Sequence, residues 1–140
     1  MSRYLALDYG DKRIGVAVSD ETRTLATPQP FLPAKPFKPF LASLKILIKE
    51  KEISLILVGM PRNMDGTYGP AAEKVREFIH HLKGNILVPL QTIDERLSTV
   101  QASRALHEAG HNAKSQKTRI DSAAAQIILQ SYLDSQQPLT

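Results

Sequence analysis

Three acidic residues from distant parts of the chain stand where carboxylates could act together. Asp8 follows the apolar segment 4–7, where a charged side chain is costly to bury without a cationic partner. Glu95 follows a second apolar segment that ends at Asp94, and Asp121 stands in the first turn of the last predicted helix. Sites in open α/β sheets gather at the carboxyl ends of the parallel strands. Asp8 and Glu95 are expected at that end.

Carboxylates gathered in one place repel one another, so their joint burial is unfavourable without a cation. The chain has no cysteine and 4 histidines, which leaves oxygen atoms as the main ligands. Such ligands favour Mg²⁺ or Mn²⁺ over zinc. Two such ions about 3.5–4 Å apart activate water and stabilise the leaving oxygen in phosphodiester cleavage. We therefore predict that Asp8, Glu95 and Asp121 are metal ligands and catalytic residues.

Each acid taken alone also has a structural explanation. Asp8 could accept hydrogen bonds from amides of the turn that follows it, and Asp121 could complement the N-terminus of its helix. Glu95 could pair with Arg96 at the surface. Asp94 should point away from Glu95 if the chain there is extended. The convergence of three acids, rather than any one of them, favours a metal site.

The apolar spacing of the last helix predicts which face carries Asp121. One stripe at about 100° per residue contains the apolar residues Ile120, Ala124, Ile127, Ile128 and Tyr132. Asp121 falls inside this stripe, and the alanines at 123–125 would let the helix approach a sheet closely. The side chain of Asp121 is therefore expected to point toward the sheet.

The first half of the chain is predicted to open with an antiparallel hairpin of strands 4–8 and 13–19. Residues 24–27 could add an edge strand. The prolines from Pro28 to Pro39 are then expected to stop regular structure and form an extended connector. A helix should begin near residues 37–40, and the apolar run 54–58 is typical of a parallel strand covered on both faces.

The second half is predicted to alternate helices and strands. After a glycine-rich loop over 59–70, a helix begins at Pro70 and ends at Gly84. The remaining predicted elements are a strand over 86–93, a helix from 98 to about 109, a polar loop over 111–117 and a helix over 118–134. Helices between strands imply parallel crossovers, and the opening hairpin makes the sheet mixed.

Several basic residues are placed where they could contact phosphates near the acids. Lys12 and Arg13 follow Asp8 in the hairpin turn, and Arg62 lies in the glycine-rich loop. The full set of predicted nucleic-acid-binding residues is Lys12, Arg13, Arg62, Arg96, Lys114 and Lys117. A solvated surface with no ligand is the alternative for each of them.

Length and composition set broad limits on the protein. The 140 residues suggest a single domain over 1–140, with 42% hydrophobic and 23% charged residues, an ordinary globular mixture. The absence of cysteine excludes disulfides, thiolate metal sites and a cysteine nucleophile. Neither a membrane span nor a signal-peptide pattern is evident, so a cytoplasmic protein is expected. The net charge of +4 is compatible with a polyanionic partner.

Five motifs, in order along nearly the whole chain, carry a resemblance to a known family. They are Asp8-Tyr9-Gly10-x-Lys12-Arg13-Ile14-Gly15-Val16-Ala17-x-Ser19-Asp20, Val58-Gly59-Met60-Pro61, Asp65-Gly66-Thr67-x-Gly69-Pro70, Asp94-Glu95-Arg96-Leu97-Ser98-Thr99 and Asp121-x-x-Ala124-Ala125-x-x-Ile128-Leu129-Gln130-x-Tyr132-Leu133. On these residues the chain resembles the YqgF family, within the ribonuclease H-like superfamily that includes RuvC-type Holliday-junction resolvases.

The resemblance implies an α/β, ribonuclease H-like fold, in which helices flank a five-stranded mixed sheet whose second strand is antiparallel. It also implies a nuclease that matures the 5′ end of pre-16S ribosomal RNA during ribosome biogenesis. Its partners would then be precursor rRNA and ribosomal particles, and the protein could be a monomer or a homodimer. Asp8, Glu95 and Asp121 match the positions of the family's metal-binding acids.

Three other functions remain open from the sequence. The same acids could serve a Holliday-junction resolvase that acts on branched DNA as a symmetric dimer. A non-catalytic RNA-binding factor of ribosome assembly is a second alternative. An ATPase of the actin and sugar-kinase type has a similar Asp-x-Gly hairpin, but it needs two such domains, and 140 residues provide one.

Overall fold

A computed structural model describes residues 2–63, 65–95 and 113–136, with the backbone alone over 113–121. The elements in chain order are β1 (Arg3–Asp8), β2 (Arg13–Ser19), β3 (Ala26–Pro33), α1 (Phe37–Glu50), β4 (Ile53–Met60), α2 (Pro70–Lys83), β5 (Leu90–Asp94) and α3 (Ala113–Ser135). The predicted helix near 98–109 lies outside the described residues. No helix within the described ranges is both long and apolar enough to span a bilayer.

The strands form one sheet in the order β3-β2-β1-β4-β5. β2 runs antiparallel to both β1 and β3, whereas β1, β4 and β5 are parallel. Two crossovers that contain helices therefore return the chain to the same end of the sheet. The predicted five-stranded mixed sheet with an antiparallel second strand is confirmed.

Helices cover the two faces of the sheet with different side chains. On one face, α1 and α2 bury large residues such as Phe40 and Phe78 against Leu5 and Leu7 of β1. On the other face, α3 packs its alanines and aliphatic residues over the smaller side chain of Ala6 and its neighbours. Small residues on both sides let the axis of α3 lie close to the strands.

The edge strand β3 shows that one prediction is wrong. Prolines do not stop regular structure after residue 27, because Pro28, Pro30 and Pro33 lie within β3. Pro28 and Pro30 are two residues apart, so their missing N–H groups fall on the same side of the strand. An edge strand tolerates this arrangement because its outer side needs no hydrogen-bond donors.

Two further boundaries differ from the predictions. β5 begins at Leu90 rather than near residue 86, so the apolar residues before it are not part of the strand. The backbone is helical from Ala113, so the predicted loop over 111–117 is wrong for residues 113–117, which include Lys114 and Lys117. Nothing in that segment breaks a helix, since it contains neither glycine nor proline.

Hydrogen bonds of a glutamine side chain connect α3 to the edge strand β3 and to the residues just before it. The Gln130 Oε1 atom accepts a hydrogen bond of 2.9 Å from the Ala26 amide. The Gln130 Nε2 atom donates a bond of 2.9 Å to the Thr24 carbonyl. Gln130 thus pairs one backbone group at the start of β3 and one just before it, and helps to fix the position of the helix along the sheet.

We expect Gln130→Ala to lower the free energy of unfolding by about 1–2 kcal/mol, because two hydrogen bonds to backbone groups are lost. Urea unfolding followed by circular dichroism measures the change. Gln136→Ala is the matched control, since Gln136 is exposed just past α3. Equal stability of the two variants would contradict a fastening role for Gln130.

Candidate active site

The carboxyl ends of the three parallel strands form one edge of the sheet. Leu7 of β1 is in register with Val58 of β4, and Met60 of β4 is in register with Asp94 of β5. β1 ends at Asp8, and Glu95 follows β5 directly. The fold therefore brings these two predicted site residues to the same edge, although 86 residues of sequence lie between them.

The same two acids also share a face of the sheet. Ala6, Leu57 and Ile93 pack in the apolar cluster under α3. Asp8, Gly59 and Glu95 each lie two residues further along the chain. Because side chains alternate between the faces of a strand, these three positions belong to the α3 face. Asp8 is half-buried and Glu95 is 2% exposed.

Gly59 leaves the space that Glu95 and α3 occupy. A Cβ atom at Gly59 would lie 3.0 Å from Oε1 of Glu95 and 2.6 Å from Cδ1 of Ile128. The carboxylate of Glu95 thus lies over β4, the strand between β5 and β1, and is directed toward the Asp8 side of the sheet. A side chain at position 59 would force Ile128 or Glu95 to move.

The third predicted acid can be placed only by its position on α3. Asp121 stands four residues before Ala125 and seven before Ile128, and both of those side chains are fully buried. Helical spacing thus puts residue 121 on the sheet-facing stripe. The stripe itself differs slightly from the prediction. Ala124 and Ile128 are buried as expected, whereas Ala125, Leu129 and Leu133 are buried in addition, and Ile127 and Tyr132 are half-buried.

The side chain of Asp121 lies outside the described part of the structure, so the trio stays a prediction. Among the side chains that the structure describes, no group of three or more acids or histidines could hold a metal ion. Asp8 and Glu95 are the two members of the predicted trio whose side chains the structure describes. Their only possible metal ligands are carboxylate oxygens. This donor chemistry fits Mg²⁺ or Mn²⁺ rather than a softer ion.

A cavity of about 230 Å³ opens beside Glu95 at this edge of the sheet. Tyr9 and Gly10, the first residues after Asp8, line one side, and Pro70 and Lys74 of α2 line another. The hairpin turn that forms this wall is tight, since a Cβ atom at Gly10 would lie 2.6 Å from the Arg13 carbonyl oxygen. A bound phosphate would meet the positive end of the α2 dipole here.

An ion pair joins Arg62, in the loop that precedes α2, to Asp94 at the end of β5. The Nη1 atom of Arg62 lies 3.1 Å from Oδ2 of Asp94, and its Nε atom donates a 3.0 Å hydrogen bond to the Gly66 carbonyl. The guanidinium also lies 4.7 Å from the ring centroid of Tyr68. The expectation that Asp94 points away from Glu95 is confirmed, and these contacts give Arg62 a structural role in the loop.

The other predicted phosphate contacts are placed less completely. Lys12 is exposed in the turn after Asp8, and the guanidinium of Arg13 lies 5.3 Å from the ring centroid of Phe31. Arg96 lies outside the described residues, as do the side chains of Lys114 and Lys117. All of them stay predictions as nucleic-acid contacts.

Sequence reasoning missed the part that Gly59 plays, because it assigned this glycine to the loop. In the structure Gly59 lies inside β4. A glycine within an otherwise aliphatic strand indicates close approach of another group. That signal could have identified the position, but the sequence could not tell which groups approach it.

We expect Gly59→Ala to destabilise the fold by about 1–3 kcal/mol, the usual effect of overpacking a core. Ile128→Val, which removes the Cδ1 atom, should recover part of this loss in the double variant. Thermal and urea unfolding measure both effects. Gly84→Ala is the matched control, since its new Cβ would lie 3.7 Å from the nearest atom, the His81 carbonyl oxygen. A neutral Gly59→Ala variant would contradict the close contact.

Comparisons with known proteins agree with this architecture. The fowlpox virus resolvase, in complex with Holliday junction DNA, matches with a TM-score of 0.55 and 11% identity over 97% of this chain and 99% of that chain. Thermus thermophilus RuvC, in complex with a Holliday junction substrate, matches with a TM-score of 0.51 and 13% identity over 96% and 95%. At such low identity the likeness concerns the fold, and it confirms the ribonuclease H-like prediction.

Sequence comparisons extend over nearly the whole chain. Two relatives carry the name "Putative pre-16S rRNA nuclease". The one from Halothermothrix orenii is 48% identical over 137 residues, 98% of each chain. The one from Clostridioides difficile is 45% identical over 132 residues, 94% of each chain. A family model described as "RuvX: Holliday junction resolvase" matches residues 2–135. The chain therefore belongs to the RuvX (YqgF) family, a family of nucleases.

Proposed function

We propose that this protein is a divalent-metal-dependent nuclease that hydrolyses phosphodiester bonds in the 5′-end maturation of pre-16S rRNA. The observation that carries the proposal is the buried carboxylate of Glu95, which lies over Gly59 on the same face and edge of the sheet as Asp8. The names of the relatives from Halothermothrix orenii and Clostridioides difficile support the choice of substrate.

Asp8, Glu95 and Asp121 are the residues that would hold the metal. Two carboxylates that share one face are favoured by a cation, because it offsets both their repulsion and the desolvation of the buried one. Mg²⁺ or Mn²⁺ bound there would activate a water molecule and stabilise the leaving oxygen. The tight packing around Gly59 holds the Glu95 side chain in place, so a metal ligand would be fixed before substrate binds.

The surrounding chain offers groups that could bind and orient the phosphodiester. The turn after β1 carries Lys12 and Arg13, and Pro70 and Ala71 at the N-terminus of α2, the positive end of its dipole, line the 230 Å³ cavity. The ion pair between Arg62 and Asp94 holds the loop between β4 and α2 close to the edge of the sheet. Lys12, Arg13 and the N-terminus of α2 would neutralise phosphate charge near the acids.

Precursor rRNA as the substrate has consequences for partners and location. The enzyme would act on ribosomal particles or their precursors, and it would therefore work in the cytoplasm. The net charge of +4 is in keeping with a polyanionic substrate. It does not distinguish RNA from DNA.

The resolution of Holliday junctions is the second candidate function. It is favoured by the description of the matching family model. The chemistry at Asp8 and Glu95 would be the same, but two symmetric cuts would need a homodimer. A factor that binds RNA without cleaving it is the remaining alternative.

Asp8→Asn and Glu95→Gln are expected to lower the rate of cleavage by at least about 100-fold, since even outer partners of metal ligands contribute about 10- to 100-fold. The assay compares a pre-16S rRNA fragment with a four-way DNA junction, each with Mg²⁺ or Mn²⁺, and chelation of the metal should stop the reaction. Glu50→Gln is the matched control, because Glu50 is exposed at the end of α1.

The outcomes separate the three functions. Cleavage of the junction without cleavage of RNA would favour the resolvase. Binding of RNA without cleavage of either substrate would favour the assembly factor. Undiminished cleavage by folded Asp8→Asn protein would overturn the metal mechanism. Thermal unfolding of each variant shows whether a lost activity reflects a lost fold.

A further inference from the structure

A second, larger cavity of about 480 Å³ lies next to the one that Glu95 lines. The two cavities share Tyr9, Asp11 and Lys74 in their walls. They are therefore neighbours, with the hairpin turn and Lys74 of α2 at their common boundary. We call the larger one, lined among others by Lys35 and Phe37, the flanking cavity.

The rings of Tyr9, Phe37, Phe78 and His81 line one wall of the flanking cavity, and buried Phe40 connects them from behind. The ring centroids of Tyr9 and Phe78 are 4.8 Å apart, and those of Phe78 and Phe40 are 5.6 Å apart. The ring of Phe40 lies 6.1 Å from that of Phe37, which lies 5.7 Å from His81. Phe40 and Phe78 are buried, so they support the more exposed rings at the surface.

Charged groups surround this aromatic wall. The Nζ atom of Lys74 lies 3.1 Å from both carboxylate oxygens of Asp11, at the junction of the two cavities. The two side chains are 56% and 59% exposed, and exposed ion pairs contribute little to stability. The ammonium group can therefore exchange the carboxylate for a phosphate at small cost.

We propose that the flanking cavity binds one unpaired nucleotide of the substrate strand, with its base against Tyr9, Phe37 and His81. A phosphate of that nucleotide would contact Lys74, and the strand would continue to the scissile bond beside Glu95. The volume lies within the range of about 300–1,000 Å³ that is usual for small-molecule pockets. This inference rests on the proposed nuclease function.

The mixed chemistry of the flanking cavity favours a nucleotide over other occupants. A purely apolar ligand would desolvate Lys35 and Glu77 without pairing them. A nucleobase has an apolar face for the rings and a polar edge for these charged groups. Stacking on aromatic side chains does not depend on base identity. The cavity should therefore accept several bases, as long as the nucleotide is not in a duplex.

The test uses Glu95→Gln protein, which is expected not to cleave, and a duplex RNA with a short single-stranded 5′ extension. Each position of the extension is replaced in turn with an abasic residue, and affinity is measured by fluorescence anisotropy. One position should show a loss of about 10-fold, within the usual range for removing one stacked base, and the others should show little change.

Variants of the wall connect that position to the flanking cavity. In the Glu95→Gln background, Phe37→Leu keeps apolar packing but removes the ring, and His81→Ala removes an exposed ring. Both should weaken binding of the intact RNA and abolish the abasic effect. His80→Ala is the matched control, since His80 is the exposed neighbour on α2 and does not line the cavity. If Phe37→Leu fails to fold, His81→Ala still tests the proposal.

Two results would overturn the inference. One is an abasic effect that is absent or that persists in both variants. The other is binding of a nucleoside monophosphate in the flanking cavity when no position of the RNA strand shows an abasic effect. That result would indicate a site for free nucleotides. Failure of the proposed function would be a separate result. Undiminished cleavage by Asp8→Asn protein would overturn the metal mechanism, but it would not change a position-specific abasic effect on binding affinity.

Discussion

The close packing of α3 and Glu95 over Gly59 is the contact on which the arrangement of the acids depends. Ile128 of α3 and Glu95, which follows β5, both lie close to the position that a Cβ atom of residue 59 would take, so both pack against the backbone of β4. This packing keeps the Glu95 carboxylate over β4 and lets α3 approach the strand closely. Conformational freedom at the metal ligands would weaken any site built there, and the packing removes much of it.

The two faces of the sheet bury side chains of different size and therefore serve different purposes. The face under α1 and α2 packs against large buried residues, such as Phe40 and Leu44 of α1, whose burial is strongly stabilising. The face under α3 uses alanines, which contribute less hydrophobic stabilisation but allow polar groups and helix backbone to come near the strands. The two acids Asp8 and Glu95 belong to this second face, where a carboxylate such as Glu95 can be buried beside the sheet.

Local pattern and turn chemistry predicted much of the fold, and long-range packing decided the rest. The bounds of β2 follow from the hairpin turn and the apolar run after it, and those of α2 follow from Pro70 and Gly84, all of which act within a few residues. β3 pairs with β2 alone, so N–H groups on its outer side have no ladder partner and prolines there cost the sheet no hydrogen bond, which explains why its prolines misled the prediction. Asp20 and Asp65 belong to motifs of the family, yet both serve local turns, where Asp20 accepts the Thr24 amide and Asp65 accepts the Thr67 amide. The Thr24 amide also holds the pKa of Asp20 below its ordinary value.

The prolines of β3 limit how two copies of this chain could associate. An unprotected edge strand offers a row of donors and acceptors to which a strand of another molecule can add. With Pro28 and Pro30 interrupting that row, β3 is a poor template for a sheet that continues from one copy into the next. Any assembly with twofold symmetry would therefore have to use another surface, such as a helix, a loop or the opposite edge strand β5, rather than this edge. The same interruption protects the strand from amyloid-like stacking.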